Sequence, residues 1–439
     1  MDALERSSIA FRKSLLSYVD TDGRGLLERS APYHEWVQSR RKLRVWPYSR
    51  VLMAQVGNVA RASNEFLANE REYINFGSQD YLGLAQTEDV KDAAREVIAE
   101  FGVHSAGSPV LCGRTRLLVE LERKLAAGLA YEACIIYPTA WMAGFGMLAS
   151  LVRNDDVVLL DSLSHNCLHE GSRHATPHVK KFSHNDLSEV EDLLKAERVS
   201  RPADGIFVVV ESLYSMDSDS PDLAALLTLA RKYEAIVLLD VAHDFGSMGT
   251  TGRGILDNLK PGDDRPDVIM GSFSKTFAAN GGFIVCSTAV RDYVSNHSPS
   301  HVFSNAISPI QTAVAHKSFD IVFSRRGDSL RSQLKENILR LRAGMEAGGM
   351  FVAGTPSPIV PVFVGDEKIA RLTSRYLTDN SLLANLVEFP AVPRGKARFR
   401  FQVMATHRHQ DIDAAVRIMI ASRNQAVAEW ESSPSRESE

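Results

Sequence analysis

The sequence predicts an α/β protein with a large domain on a mostly parallel central sheet and a smaller C-terminal α+β domain. Two observations predict the sheet and a third the division. From about residue 133, short β-branched runs alternate with amphipathic stretches of helical length. The runs are apolar throughout, as expected for strands covered on both faces. Near residue 325 that rhythm stops, and a long charged helix is followed by isolated strand candidates.

Residues 1–70 read as a charged N-terminal helical arm, broken at Asp20-Thr21-Asp22-Gly23-Arg24-Gly25. The large domain is expected over 71–325. Its strand candidates are Ala133–Tyr137, Val157–Leu160, Ile206–Val210, Ile236–Asp240, Val268–Gly271 and Phe283–Cys286. Amphipathic stretches such as Leu187–Lys195 and Leu223–Tyr233 fill the intervals. The small domain is expected over 326–431, with a helix at Ser329–Ala347, strands at Ile359–Val364 and Ala397–Val403, and a closing helix near Ile412–Trp430. The polar tail 432–439 is expected to be disordered.

Composition narrows the function. The chain has 439 residues, 44% hydrophobic and 24% charged, with a net charge of −4, so no global basic field favours nucleic acid or an anionic membrane. The first residues lack an apolar signal-like run, and no run approaches the ~20 residues of a membrane helix. Cys112, Cys134, Cys167 and Cys286 form no CxxC pair and no ligand-like cluster with histidine. No metal is therefore expected, and four buried free thiols in a reducing, cytoplasmic setting are.

In an open parallel sheet, ligands gather beyond the carboxyl ends of the strands. The run Val268–Gly271 leads into Ser272-Phe273-Ser274-Lys275-Thr276, a lysine among hydroxyls. Desolvation or a neighbouring cation can free such an amine for attack on a carbonyl. This segment is equally compatible with a surface lysine on a strand-end loop. Another strand ends in Asp240 with His243 three residues on, and others end at Glu211 and Asp161, the latter running into Ser162-Leu163-Ser164-His165. Asp240 alone reads as well as a turn cap. Together, an imine-forming lysine, a carboxylate for a heteroaromatic nitrogen and an imidazole for a phenolic oxygen are the parts that bind and tune pyridoxal 5'-phosphate (PLP). Tyr137-Pro138-Thr139-Ala140-Trp141 closes a strand and opens a helix, whose free N–H groups suit a phosphate. The plain alternative is a strand-to-helix turn with Trp141 in the core.

These residues resemble the α-oxoamine synthases, PLP enzymes of aminotransferase fold type I, over about residues 70–425. Asn75-Phe76-Gly77-Ser78-Gln79-Asp80-Tyr81-Leu82-Gly83-Leu84 is similar to the family's N-terminal signature. His104-Ser105-Ala106-Gly107-Ser108, with Gly113-Arg114-Thr115 and Leu121-Glu122, is similar to its glycine-rich loop. The resemblance implies phosphate binding by Ala140, Trp141 and Ser272, stacking of His165 on the cofactor ring, and a site wall containing Glu211 and Ser215. It implies Asp240 on the pyridine nitrogen, His243 on the ring hydroxyl, and Lys275 as the internal aldimine. Phe389–Arg400 is similar to the segment whose second arginine holds the substrate carboxylate, which points to Arg400, a guanidinium fork suited to that group. Gln79 falls on the substrate side.

Three positions and one short segment depart from the pattern. Val241 stands for an acidic residue, Gln79 for an asparagine and Ala391 for a threonine, while Phe303-Ser304-Asn305 replaces a Ser-Thr pair that reaches a phosphate in the partner subunit. Ser304 and Asn305 are expected to take that role in a homodimer. The expected reaction is a decarboxylative Claisen-type condensation of a small α-amino acid with an acyl thioester, on coenzyme A or a carrier protein, giving an α-amino ketone. The alternatives are another fold type I enzyme, an aminotransferase or carbon–carbon lyase, or a non-catalytic regulatory subunit.

Overall fold

The computed structural model describes residues 9–64 and 67–432. Three strands come first: β1 (Arg50–Leu52), β2 (Val59–Asn64) and β3 (Leu67–Phe76). Then follow β4 (Ala133–Tyr137), β5 (Val157–Asp161), β6 (Val179–Phe182), β7 (Ile206–Glu211), β8 (Ile236–Asp240), β9 (Val268–Ser272) and β10 (Gly282–Cys286). The last are β11 (Ile359–Gly365), β12 (Leu382–Val387) and β13 (Ala397–Gln402). The chain forms two compact units.

The unit of residues Gln79–Ser215 and Asp219–Ser332 holds a seven-stranded sheet in the order β4-β10-β9-β8-β7-β5-β6. β10 runs antiparallel to β4 and β9, and the remaining neighbours are parallel. Every residue of β4, β5, β7, β9 and β10 is buried, as their unbroken apolar runs demand. Ile135, Met147, Leu160, Val209, Met270 and Ile284 belong to one core cluster. Each such side chain contributes roughly 1.5–3 kcal/mol on burial. β6 escaped the sequence reading because Val179-Lys180-Lys181-Phe182 is half charged; it is the edge strand, and its two lysines are exposed to solvent.

The other unit takes the residues up to Ser78, the segment Met216–Ser218 and everything from Gln333 onward. Its sheet order is β1-β2-β3-β12-β13-β11, with β3 parallel to β12 and the other pairs antiparallel. The region expected as a helical arm therefore contributes three strands to the sheet of the C-terminal residues. Its helices, including Leu26–Lys42, are fastened by a buried ion triad. Glu388 accepts from Arg40 at 2.8 Å and from Arg371 at 2.7 Å, all three side chains being at most 5% exposed. The expected helix 329–347 spans Arg325–Ala347, and the closing helix spans His409–Ser432. The tail beyond Ser432 lies outside the described residues. Arg398, nearly fully buried, donates to Asp217 at 2.6 Å and to the Met216 carbonyl at 3.0 Å, which explains why that short segment belongs here.

His407 locks the same unit. Its Nδ1 accepts from the Met404 N–H at 2.9 Å, its Nε2 donates to the Asn75 carbonyl at 2.9 Å, and its ring stacks on Phe76 at 4.0 Å. Burial lowers its pKa to about 4, so the folded chain holds it neutral. A depressed folded-state pKa leaves stability intact above the unfolded value and erodes it as pH falls from about 6.5 towards 4. The effect is on the order of 3 kcal/mol at full protonation. Melting curves of wild type and His407→Gln across that window should converge on acidification; parallel curves would refute the assignment.

Candidate active site

The parallel strands of the seven-stranded sheet deliver their carboxyl ends to one edge. Register puts Glu211 beside Asp240, and Ser272 opposite Gly282, which in turn faces Tyr137. The segments following β4, β5, β7, β8 and β9 therefore emerge together, and Lys275 sits half-buried in the loop after β9.

Two buried carboxylates side by side set the electrostatics. Asp240 is 6% exposed and Glu211 4%. Burial raises both from their ordinary values, most strongly Glu211, whose second cause is the Asp240 charge; Lys275 pulls both down. The rise is the greater for Glu211, while the charges of Lys275 and His165 and the Ala242 N–H all favour the charged form of Asp240. Asp240 Oδ1 also accepts from the Ala242 N–H at 2.8 Å, so the cap expected as an alternative role is present as well.

His165 caps the helix Asn166–Ala175: its Nδ1 accepts from the Cys167 N–H at 3.3 Å, and its own N–H donates to Glu211. His165 is exposed, in the turn after β5. His243 is buried with Nδ1 2.8 Å from the Tyr81 hydroxyl. Tyr81, wholly buried, is a site residue that sequence reasoning passed over, although it lies within the signature Gln79–Leu84. Asp80 beside it accepts from the N–H groups of Leu84 and Ala85 at 2.9 and 3.0 Å, which fixes the turn; burial lifts its pKa to about 6. Asp244 was passed over too: Ser212 Oγ donates to it at 2.5 Å and the Ile255 N–H at 2.7 Å, and burial raises it to about 7.

Ser272 ends β9 buried, its Oγ accepting from the Ser274 N–H at 3.1 Å. Thr139 caps the helix Ala140–Leu151 through the Met142 N–H at 3.2 Å, a bond that does not engage the amides of Ala140 and Trp141. Trp141 is not in the core: it is 43% exposed and stacks on Phe145 at 5.2 Å. Ser215 is half-buried in the loop after β7. Ser304 and Asn305 lie on a loop whose flanks are bonded to the glycine-rich loop, Ala306 N–H to the Gly107 carbonyl at 2.9 Å and Ser108 Oγ to the Val302 carbonyl at 2.7 Å. Gln79 begins this unit, half-buried, whereas Arg400 lies on β13 of the other. Of the cysteines, Cys134, Cys167 and Cys286 are buried; Cys112, expected to be buried, is exposed on the loop before Gly113. The described residues hold no His/Cys/Asp/Glu group suited to a metal, and none of their helices is long and apolar enough to cross a membrane.

The donor set fits PLP. An amine, a carboxylate, an imidazole and a strand-end hydroxyl are gathered at one sheet edge. Gly282 approaches the helix start so closely that a Cβ there would lie 2.4 Å from the Ala140 Cα, keeping that end of the cradle free of side chain. Thr276 Oγ, buried next to Lys275, has no hydrogen-bond partner among the described residues.

A seven-stranded, mostly parallel sheet presenting this set defines a PLP-dependent enzyme of fold type I. The chain belongs to the aminotransferase class I and II family, which it matches over residues 71–419. A serine palmitoyltransferase of Bacteriovorax stolpii is 32% identical over 355 residues, 80% of this chain and 83% of that protein. An 8-amino-7-oxononanoate synthase of Petrotoga mobilis is 32% identical over 349 residues, 79% of this chain and 88% of that protein. The solved structure of serine palmitoyltransferase from S. paucimobilis with bound PLP and myriocin superposes with a TM-score of 0.84 at 26% identity, covering 92% of this chain and all of that one. These relatives are α-oxoamine synthases, and so is this chain: a PLP-dependent acyltransferase that condenses an amino acid with an acyl thioester.

Proposed function

We propose that the enzyme joins a small α-amino acid to an acyl thioester with loss of carbon dioxide, releasing an α-amino ketone and a free thiol. The gathering of Lys275, Asp240 and His165 at one sheet edge is the observation that supports this reading most. In it, Lys275 links PLP, Asp240 holds the pyridine nitrogen, and His243 the ring hydroxyl. His165 covers the ring face with Glu211 and Ser215 along the wall, and Ala140, Trp141 and Ser272 take the phosphate. When bound, the cofactor supplies an electron sink for negative charge at the amino acid Cα. Lys275 Nζ, once free of that link, would remove the Cα proton as general base, Asp240 would keep the opposite nitrogen cationic, and His165 would steady the acyl oxygen. Gln79, in the same unit, serves the amino acid side.

The active form is proposed to be a homodimer. Phe303 and Leu111, 88% and 81% exposed, lie on the two mutually bonded loops, and apolar groups so placed suit a second copy. Ser304 and Asn305, on the same loop, are assigned to the neighbouring copy's phosphate. The free thiols favour a cytoplasmic setting.

A panel of amino acids crossed with acyl-coenzyme A and acyl carrier protein thioesters tests the reaction. Thiol and carbon dioxide release is expected only when both substrates are present. Thiol release that ignores the amino acid, or formation of a keto acid, would remove the condensation.

A further inference from the structure

We infer that His184 is a positioning residue for this site: clamped between Asp161 and Asp219, it fixes together the two turns that present His165 and Ser215. The inference rests on the proposed placement of those two residues at the cofactor.

His184 lies two residues beyond the edge strand β6, outside every sequence motif considered above. Its Nδ1 is 3.0 Å from Asp161 Oδ1 and 3.1 Å from Oδ2, and its Nε2 is 2.9 Å from Asp219 Oδ2. Asp161 is fully buried and also accepts from the N–H groups of Leu163 at 2.9 Å and Asn185 at 3.0 Å. An ionised carboxylate only accepts, so both ring nitrogens must donate, and the ring is held as imidazolium. Burial alone would lower its pKa, but the hydrogen bonds to Asp161 and Asp219 outweigh that and raise it to about 10. The Tyr214 ring lies edge-to-face at 4.4 Å, and the Asn185 amide reaches Nε2 at 3.2 Å; an imidazolium there calls for the amide to turn its oxygen inward, the atom that otherwise lacks a partner among the described residues.

The clamp closes a circuit. On one side, the Asp161 carboxylate and carbonyl take the N–H groups of Leu163 and Ser164, which shapes the turn that ends in His165. On the other, the Asp219 backbone carbonyl takes the Tyr214 N–H at 2.9 Å, and the Tyr214 hydroxyl accepts from the Glu211 N–H at 3.2 Å, bracketing Ser215. The Glu211 carboxylate accepts the His165 N–H and so joins the two sides. One cation thus sets the spacing of two strand-end turns without belonging to either.

The test is His184→Gln, which keeps one donor and loses the charge, read on the PLP-loaded enzyme. The expected result is unchanged borohydride trapping at Lys275, a changed visible circular dichroism band of the bound cofactor, and a fall in kcat of about 10- to 100-fold, larger than any change in the amino acid KM. Lys181→Ala, exposed on the same edge strand, should leave all three unchanged. A lower melting temperature with the dichroism band and kcat intact would show a purely structural histidine and overturn the inference, as would lost kcat with an unaltered band. If His184→Gln does not fold, Asp219→Asn, at the 31% exposed end of the clamp, takes the same measurements with the same criteria. The dichroism band does not depend on turnover. A failure of the condensation assay in wild type therefore counts against the proposed function and leaves this test standing.

Discussion

Lys275→Ala is expected to abolish turnover while leaving the fold in place. General-base catalysis alone accounts for about 10²- to 10⁴-fold in rate, and loss of the covalent link to the cofactor adds to that. Lys275 is the residue to test because of its setting. Its charge is felt by Asp240, Glu211 and Cys167, all three buried, yet Lys275 itself is only half-buried, in the loop between β9 and β10. Removing it leaves the paired carboxylates without their main counter-charge, so both should hold protons more firmly. Three measurements separate a catalytic lysine from a surface one. Borohydride should no longer fix the cofactor to the protein, thiol release should fall to background, and added methylamine should restore a small part of the rate. Normal borohydride fixation together with normal turnover in the variant would end the assignment.

The large sheet was legible because burial on both faces leaves an unmistakable trace: β4, β8 and most of β5, β7, β9 and β10 fall where unbroken apolar runs predict them. The site was legible for a related reason. Where a polar residue follows such a run, as at Asp240, Glu211 and Asp161, it lies at the sheet edge, and the edge is where ligands meet the fold. What stayed hidden depends on residues distant in sequence. His184 stands after a strand whose lysines disguise it, and its partners Asp161 and Asp219 lie 23 and 35 positions away. Tyr81 meets His243 across 162 positions. The strands β1 to β3 were missed because Val59-Ala60-Arg61-Ala62 is built on small residues around a charge and Glu70-Arg71-Glu72-Tyr73 is charged at three of its four positions, which reads as a solvated helix until pairing with β12 is known.

That N-terminal region leads to the second large effect. Glu388→Ala should destabilise the unit by about 3–5 kcal/mol, because it leaves the guanidiniums of Arg40 and Arg371 buried without their shared counter-charge. In some proteins a buried ion cluster can be exchanged for apolar side chains at little cost. Here that exchange should fail as well, since the same guanidiniums do a second task. Arg40 donates to the Ala10 carbonyl at 3.2 Å, and Arg371 to the carbonyls of Ala10, Phe11 and Lys13 at 3.3, 2.9 and 3.3 Å. Arg40 also lies over the Trp36 ring at 4.2 Å. Losing the cluster therefore releases the chain around residues 10–13 along with the charge. The combined change Arg40→Met, Arg371→Met and Glu388→Leu should remain well below wild type in denaturant midpoint, and in both variants limited proteolysis should cut before residue 26 far sooner than in wild type. Recovery of the midpoint by the triple change would show that charge compensation alone, and not the tethering of the N-terminal segment, is what the triad provides.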